Sequence, residues 1–214
     1  MVSLSFTEGF YSKPRVDKQL LKEYHEGLIA ASACLAGEIP KALISGDYAK
    51  AKETAVWYKN VFGDDYYLEM QNHGIKEQNA VNFGLRKLSK ELNIKTVATN
   101  DVHYIEKADS EMQRVLICIQ TGNKVSEENP LEFGTDEFYL KSYGEMAKAF
   151  PDDLDALATT EEIAEKCNVE FEFGKIKLPK FDIGDKDHFV YFKEKCLEGL
   201  RRIYGDKPEK SVTD

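Results

Sequence analysis

Val97-Ala98-Thr99-Asn100-Asp101-Val102-His103-Tyr104 is an apolar run that closes on an acid and an imidazole two residues apart. On a β-strand, side chains at i and i+2 point to the same face. Asp101 and His103 therefore converge on one point just past the strand's C-terminal end. In barrels of alternating strands and helices, that rim is where metal and substrate sites are built. A carboxylate and an imidazole are both competent ligands for a divalent cation. The same pair also occurs as a hydrogen-bonded helix cap or loop, and its spacing alone leaves both readings open.

A thiol is the second candidate. Residues 27–34, Gly-Leu-Ile-Ala-Ala-Ser-Ala-Cys, form a small apolar run of strand length that suits a buried parallel strand. On such a strand Leu28, Ala30, Ser32 and Cys34 share one face, and Cys34 lies at the C-terminal end. Parallel strands put that end on the rim that carries Asp101 and His103. Cys34 is then either a thiolate ligand or a small buried residue. His73 follows a second strand, where it faces the same rim or sits as a loop histidine. Glu69 reads as a buried or capped carboxylate. His25 and His188 read as surface residues, and Lys13 and Arg15 as a solvated loop. Cys118, Cys167 and Cys196 lie on apolar helix faces and read as core.

The elements that must position these groups alternate. After the 27–34 strand, a short helix is expected behind Pro40, ended by Gly46. Asp47 is a good N-cap for a helix whose Tyr48, Ala51, Ala55 and Tyr58 fall on one side. A second strand spans 66–70. A helix over 76–92 carries Val81, Leu85, Leu88 and Leu92 at helical spacing. A third strand covers 95–100, and a helix over 108–119 is expected to bury Met112, Val115, Leu116 and Ile119. This rhythm predicts α/β architecture with parallel strands. Residues 121–137 read as a polar loop with Gly122, Pro130 and Gly134, and 138–140 as a short extended piece. Ser142 and Glu145 have the spacing of a capping box. Helices over 152–167 and 187–203 follow, the second with Phe189, Phe192, Cys196, Leu200 and Ile203 on one face.

Bulk properties exclude several classes. The 214 residues are 42% hydrophobic and 31% charged, as in ordinary globular proteins. No run of about 18 apolar residues occurs, so no membrane span is expected. The N-terminus lacks the pattern of a signal peptide. Four widely spaced cysteines without a Cys-x-x-Cys pair fit a reduced, cytoplasmic setting. A net charge of −9 argues against strong binding to nucleic-acid backbone by the chain itself. A metal centre can still supply local positive charge within an acidic protein.

Several linked motifs carry a resemblance. Glu8-Gly9-Phe10-Tyr11-Ser12-Lys13-Pro14-Arg15-Val16-Asp17, Ala33-Cys34-Leu35-Ala36-Gly37-Glu38-Ile39-Pro40 and Ala98-Thr99-Asn100-Asp101-Val102-His103-Tyr104 are the first three. Asp136-Glu137-Phe138-Tyr139-Leu140-Lys141 and Ile163-Ala164-Glu165-Lys166-Cys167-Asn168-Val169 complete them. In this order, over nearly the whole chain, they resemble the family of bacterial replicative DNA polymerase III alpha subunits.

The resemblance implies the C-terminal portion of a PHP (polymerase and histidinol phosphatase) domain over residues 1–182 and the start of the polymerase palm over 183–214. It implies a partial, distorted (β/α) TIM-like barrel, open because N-terminal strands are missing, followed by a mostly helical segment. Cys34, Asp101 and His103 match the last three metal ligands of that domain. The earlier ones, including a His-x-His motif, are expected ahead of Met1, and the palm's catalytic aspartates far downstream. Zinc or manganese is the ion implied for the complete site. Whether this segment holds either ion alone is left open.

Three functions follow from the resemblance. The first is a PHP segment that is structural in its parent polymerase, forms part of a metal-dependent 3′→5′ exonuclease or phosphoesterase site, and is inactive alone. The second is a stand-alone metal-dependent phosphoesterase. The third is a docking module for a proofreading exonuclease. Partners implied are the remainder of the alpha subunit, replisome subunits including that exonuclease, and DNA through the parent. A barrel segment also exposes strand edges, which predicts a homodimer or a rearranged open sheet.

Overall fold

The computed structural model describes residues 1–127, 133–179, 181–206 and 209–213. The part of the expected polar loop that holds Pro130 lies outside them. Chain order is α1 (Val2–Thr7), α2 (Lys18–Glu23), β1 (Ala30–Ala31), α3 (Glu38–Ile44), α4 (Tyr48–Phe62), β2 (Tyr66–Gln71), α5 (Lys76–Leu92), β3 (Thr96–Thr99), α6 (Ser110–Thr121), α7 (Tyr143–Ala149), α8 (Leu154–Lys166), α9 (His188–Tyr204) and α10 (Lys210–Thr213).

The three strands form an open parallel sheet in the order β1-β2-β3. Ala30 and Ala31 pair with Tyr66 and Tyr67, and the four residues from Leu68 to Gln71 pair with those from Thr96 to Thr99. A parallel neighbour requires a crossover, and helices supply both: α3 and α4 join β1 to β2, and α5 joins β2 to β3.

Each crossover helix is built as its sequence specifies. The Asp47 carboxylate accepts from the Lys50 N–H at 2.9 Å and starts α4, whose Ala51 and Ala55 are fully buried. Val81, Leu85 and Leu88 form the buried stripe of α5, which ends where Asn93 adopts a left-handed conformation. These side chains meet Leu68 and Met70 of β2, Ala98 of β3, and Ala156 and Leu157 of α8 in one core. Each buried leucine contributes about 1.5–3 kcal/mol of transfer free energy. The capping box at α7 is present: the Ser142 N–H donates to Glu145 Oε2 at 2.9 Å and the Glu145 N–H donates to the Ser142 hydroxyl oxygen at 3.4 Å.

The structure corrects four expectations. The first strand is only two residues long. Ala33 takes φ +63°, a left-handed conformation that strand pairing cannot accommodate, so the chain leaves the sheet before Cys34. Pro40 lies inside the first turn of α3 rather than ahead of it, where its missing N–H costs no intrahelical bond. The α6 face is reversed: Ile117 and Cys118 are buried, whereas Met112, Leu116 and Ile119 are 63%, 57% and 72% exposed. Helical periodicity marks a stripe but does not say what covers it. Finally, Cys167 and Cys196 are exposed and only Cys118 belongs to the core, because Cys167 caps the end of α8 and α9 buries none of its residues.

The chain forms two compact units, Met1–Asn168 and Val169–Asp214. The first holds the sheet and its core. In the second, Asp187 caps α9 by accepting from the N–H groups of Phe189 and Val190, and Phe189, Phe192 and Ile203 stand exposed on that helix. Among the described residues, no helix is long and apolar enough to cross a membrane.

Candidate metal centre

β3 delivers its polar residues to one end of the sheet, but it ends before Asp101, so a turn and not the expected i, i+2 strand alternation brings Asp101 and His103 together. Thr99 is its last residue, and Asn100, Asp101 and His103 follow directly. Asp101 takes φ +45°, a region that aspartate and asparagine enter more readily than other non-glycine residues. The resulting turn folds the His103 ring back: its Nδ1 lies 2.9 Å from the Asp101 carbonyl. A carbonyl only accepts, so in the neutral ring Nδ1 carries the proton and Nε2 keeps its lone pair. The Asp101 carboxylate stands 3.9 Å from the same Nδ1. Both side chains are about one-third exposed.

Two aromatic rings wall the imidazole of His103. Phe133 lies 4.6 Å away and Phe138 meets it edge-on at 5.3 Å. The 138–140 segment sits beside the β3 end because the His103 N–H donates to the Phe138 carbonyl at 2.9 Å and Tyr104 bridges to Tyr139 in parallel.

The chemistry of this donor pair fits a divalent cation. Zinc and manganese both accept a carboxylate with a neutral imidazole. A backbone carbonyl on the far ring nitrogen is also the usual orienting contact for a ligating histidine.

Cys34 stands elsewhere in the geometry. It is exposed, in a tight turn where the Gly37 N–H donates to its carbonyl at 2.8 Å. A Cβ on Gly37 would lie 2.3 Å from the Ser32 carbonyl oxygen, so this turn requires glycine. Cys34 lines a small cleft with Glu69, Gln71 and Gln78. Among the described residues, no three His, Cys, Asp or Glu side chains gather closely enough to hold one ion. The structure thus brings Asp101 and His103 together and does not bring Cys34 to them.

Glu69 belongs to a polar ladder across the strands. Its Oε1 accepts from the Thr99 hydroxyl at 2.6 Å and from Gln71 Nε2 at 2.9 Å. Its backbone N–H donates to the Ser32 hydroxyl at 2.8 Å. The expected capped carboxylate is what is seen.

His73 lies in the loop between β2 and α5, as one of its two readings has it, but it is a buried loop residue. It is 1% exposed, its ring stacks on Phe138 at 4.2 Å, and both ring nitrogens are hydrogen-bonded, to Gln78 and to the Asn100 carbonyl. Burial holds its pKa below the ordinary histidine value, and the Asn100 bond opposes that shift. The sequence did carry a signal for it. Gln78 and Asn82 fall on the same stripe of α5 as Val81 and Leu85, and polar residues on a buried stripe need buried partners.

Comparison with known proteins places this geometry in context. A PHP domain model matches residues 1–73. The chain is 44% identical over 207 residues to the DNA polymerase III subunit alpha of Borreliella burgdorferi, covering 95% of this chain and 18% of that protein. It is 40% identical over 209 residues to the subunit of the same name in Campylobacter jejuni, covering 92% and 17%. Against that of Thermus aquaticus it is 34% identical over 214 residues, covering 97% and 18%. The chain thus spans less than a fifth of the length of these relatives.

Proposed function

We propose that this chain, which belongs by similarity along nearly its whole length with the DNA polymerase III alpha subunits and carries a PHP-domain match, supplies one side of a metal-dependent phosphoesterase site. The segment over 1–182 is read as the later portion of the PHP domain, with barrel-type curvature completed by elements outside it. Residues 183–214 are read as the start of the palm. In the parent the segment acts structurally, and it is inactive alone. DNA synthesis, a 3′→5′ exonuclease function, replisome partners and a cytoplasmic setting are assigned to the parent on the same footing.

The observation that carries the reading is the Asp101–His103 pair, with the His103 Nε2 lone pair left open by the Asp101 carbonyl on Nδ1. Asp101 and His103 would hold a zinc or manganese ion. Cys34 is proposed as a further ligand through its thiolate, brought in when the barrel is complete. When bound, such an ion supplies Lewis acidity for phosphoester hydrolysis. The residues of this chain supply the negative charge of Asp101, the fixed imidazole of His103 and the aromatic wall of Phe133 and Phe138.

Metal content per chain tests the proposal. The protein is incubated with zinc and manganese, desalted exhaustively and analysed for bound metal. A ratio near one that is lost in His103→Ala supports the site. A ratio near zero in the wild-type chain sinks the proposal that this segment holds metal on its own residues.

A docking module for a proofreading exonuclease is the second reading, and one observation favours it. Met112, Leu116 and Ile119 of α6 form an exposed apolar row, and Ile105 nearby in sequence is 67% exposed. It is tested by stoichiometric binding to such an exonuclease in chelator, weakened by Leu116→Asp. Binding that needs metal or ignores that substitution counts against it.

A further inference from the structure

We propose that His73 is a positioning residue for the Asp101–His103 pair: its buried imidazole, locked by Gln78, grips the Asn100 carbonyl and so sets the turn that aims His103. The inference rests on the reading of Asp101 and His103 as metal ligands.

The hydrogen bonds around His73 admit one arrangement. Its backbone N–H donates to Gln78 Oε1 at 2.7 Å, which fixes which end of the amide faces the ring. Gln78 Nε2 then donates to His73 Nδ1 at 2.9 Å. With Nδ1 accepting, Nε2 carries the proton and donates to the Asn100 carbonyl at 2.7 Å. No nitrogen of His73 is left for a metal ion, so this residue orients rather than ligates. A buried polar network that is fully satisfied specifies one geometry, since any displacement leaves a buried group unpaired.

Asn100 is where that specificity is needed. The next residue, Asp101, sits at φ +45°, a conformation that L-residues adopt rarely and that persists where its surroundings hold it. Three bonds hold this turn. His73 takes the Asn100 carbonyl, the Asn100 side-chain amide donates to the Tyr139 carbonyl at 2.8 Å, and the His103 N–H donates to the Phe138 carbonyl at 2.9 Å. The ring of Phe138 completes the arrangement, because it stacks flat on His73 and stands edge-on to His103. Releasing the Asn100 carbonyl frees the Asp101 turn, and with it the bond from His103 Nδ1 that leaves Nε2 open.

Nitrogen spectra of the imidazoles, recorded in mildly alkaline buffer without metal, test this in the folded protein. The wild type is expected to show His73 as the Nε2–H tautomer and His103 as the Nδ1–H tautomer. A wild-type His73 protonated on Nδ1, or exchanging between tautomers, overturns the proposal before any variant is made. In His73→Ala, His103 is expected to interconvert between tautomers. His73→Gln keeps a donor for the Asn100 carbonyl and is expected to restore the single form. Gln78→Ala reads the same signal should His73→Ala fail to fold. A folded His73→Ala in which His103 keeps one tautomer overturns the proposal.

Titration with zinc alone separates this inference from the reading beneath it. Affinity is expected to fall about tenfold or more in His73→Ala and to recover in His73→Gln. Unchanged affinity in folded His73→Ala overturns the positioning role and leaves the metal site standing. A wild type that takes up no zinc, yet shows the tautomer response, sinks the metal reading and upholds the positioning role.

Discussion

Arg86 grips Asp153 through two parallel hydrogen bonds, Nε to Oδ1 at 2.7 Å and Nη2 to Oδ2 at 2.6 Å. The pair ties α5 to the residue just ahead of α8, and the Asp153 side chain is 9% exposed while that of Arg86 is 40% exposed. The bond to Asp153 raises the Arg86 pKa.

Arg86→Ala should cost about 2 kcal/mol, below the full value of a buried pair because the arginine is partly in water. Arg86→Lys should cost about half as much, since it keeps the charge but loses the fork. Denaturant unfolding checks both. A loss under about 0.5 kcal/mol for Arg86→Ala would show that the fork does not hold α8.

Within α5, neighbouring positions should behave differently. Leu85 is 0% exposed in the core, and Leu85→Ala should destabilise by about 3 kcal/mol through lost transfer energy and a residual cavity. Phe83 is 72% exposed, and Phe83→Ala should stay within about 0.5 kcal/mol. Comparable losses at both sites would contradict the orientation of this helix.

Acid should weaken the chain partly through Glu145. Hydrogen bonds from the Ser142 hydroxyl and N–H, and from the Tyr139 hydroxyl, hold its carboxyl at about 2 against an ordinary 4.5. A depressed folded pKa contributes stability that is fully present above 4.5 and is lost as the pH falls towards 2. Wild type should therefore melt above Glu145→Gln at neutral pH, with the gap closing through that window. A gap independent of pH would remove Glu145 from the acid response.

Thiol labelling should divide the cysteines three to one. Cys34, Cys167 and Cys196 are exposed and should react promptly with an aromatic disulfide reagent. Cys118 is 4% exposed and should react only on unfolding. Four fast thiols would mean that α6 does not pack through Cys118.

The sheet and its crossovers were legible because their signals are local. Asp47 caps α4, Ser142 and Glu145 form their box, and Val81, Leu85 and Leu88 repeat at helical spacing. That Asp101 and His103 approach each other was legible from their spacing, although a turn and not strand alternation brings them together. What failed depended on distant partners. Nothing near Cys34 in sequence announces that Ala33 turns left-handed, and nothing near Met112 says which side of α6 meets the core. The loop position of His73 was legible, but its burial was not, because Gln78, Asn100 and Phe138 reach it from three separate parts of the chain.

The left-handed turn at Asp101 makes two separable demands on a single side chain. Conformation asks for a short polar residue, which aspartate and asparagine meet equally well. Electrostatics asks for a negative charge, which only aspartate brings. Asp101→Asn therefore abolishes the anion while leaving the backbone as it was. In the site proposed above, one such change would remove the charged ligand and spare the scaffold, so the shape of this rim could outlast its chemistry.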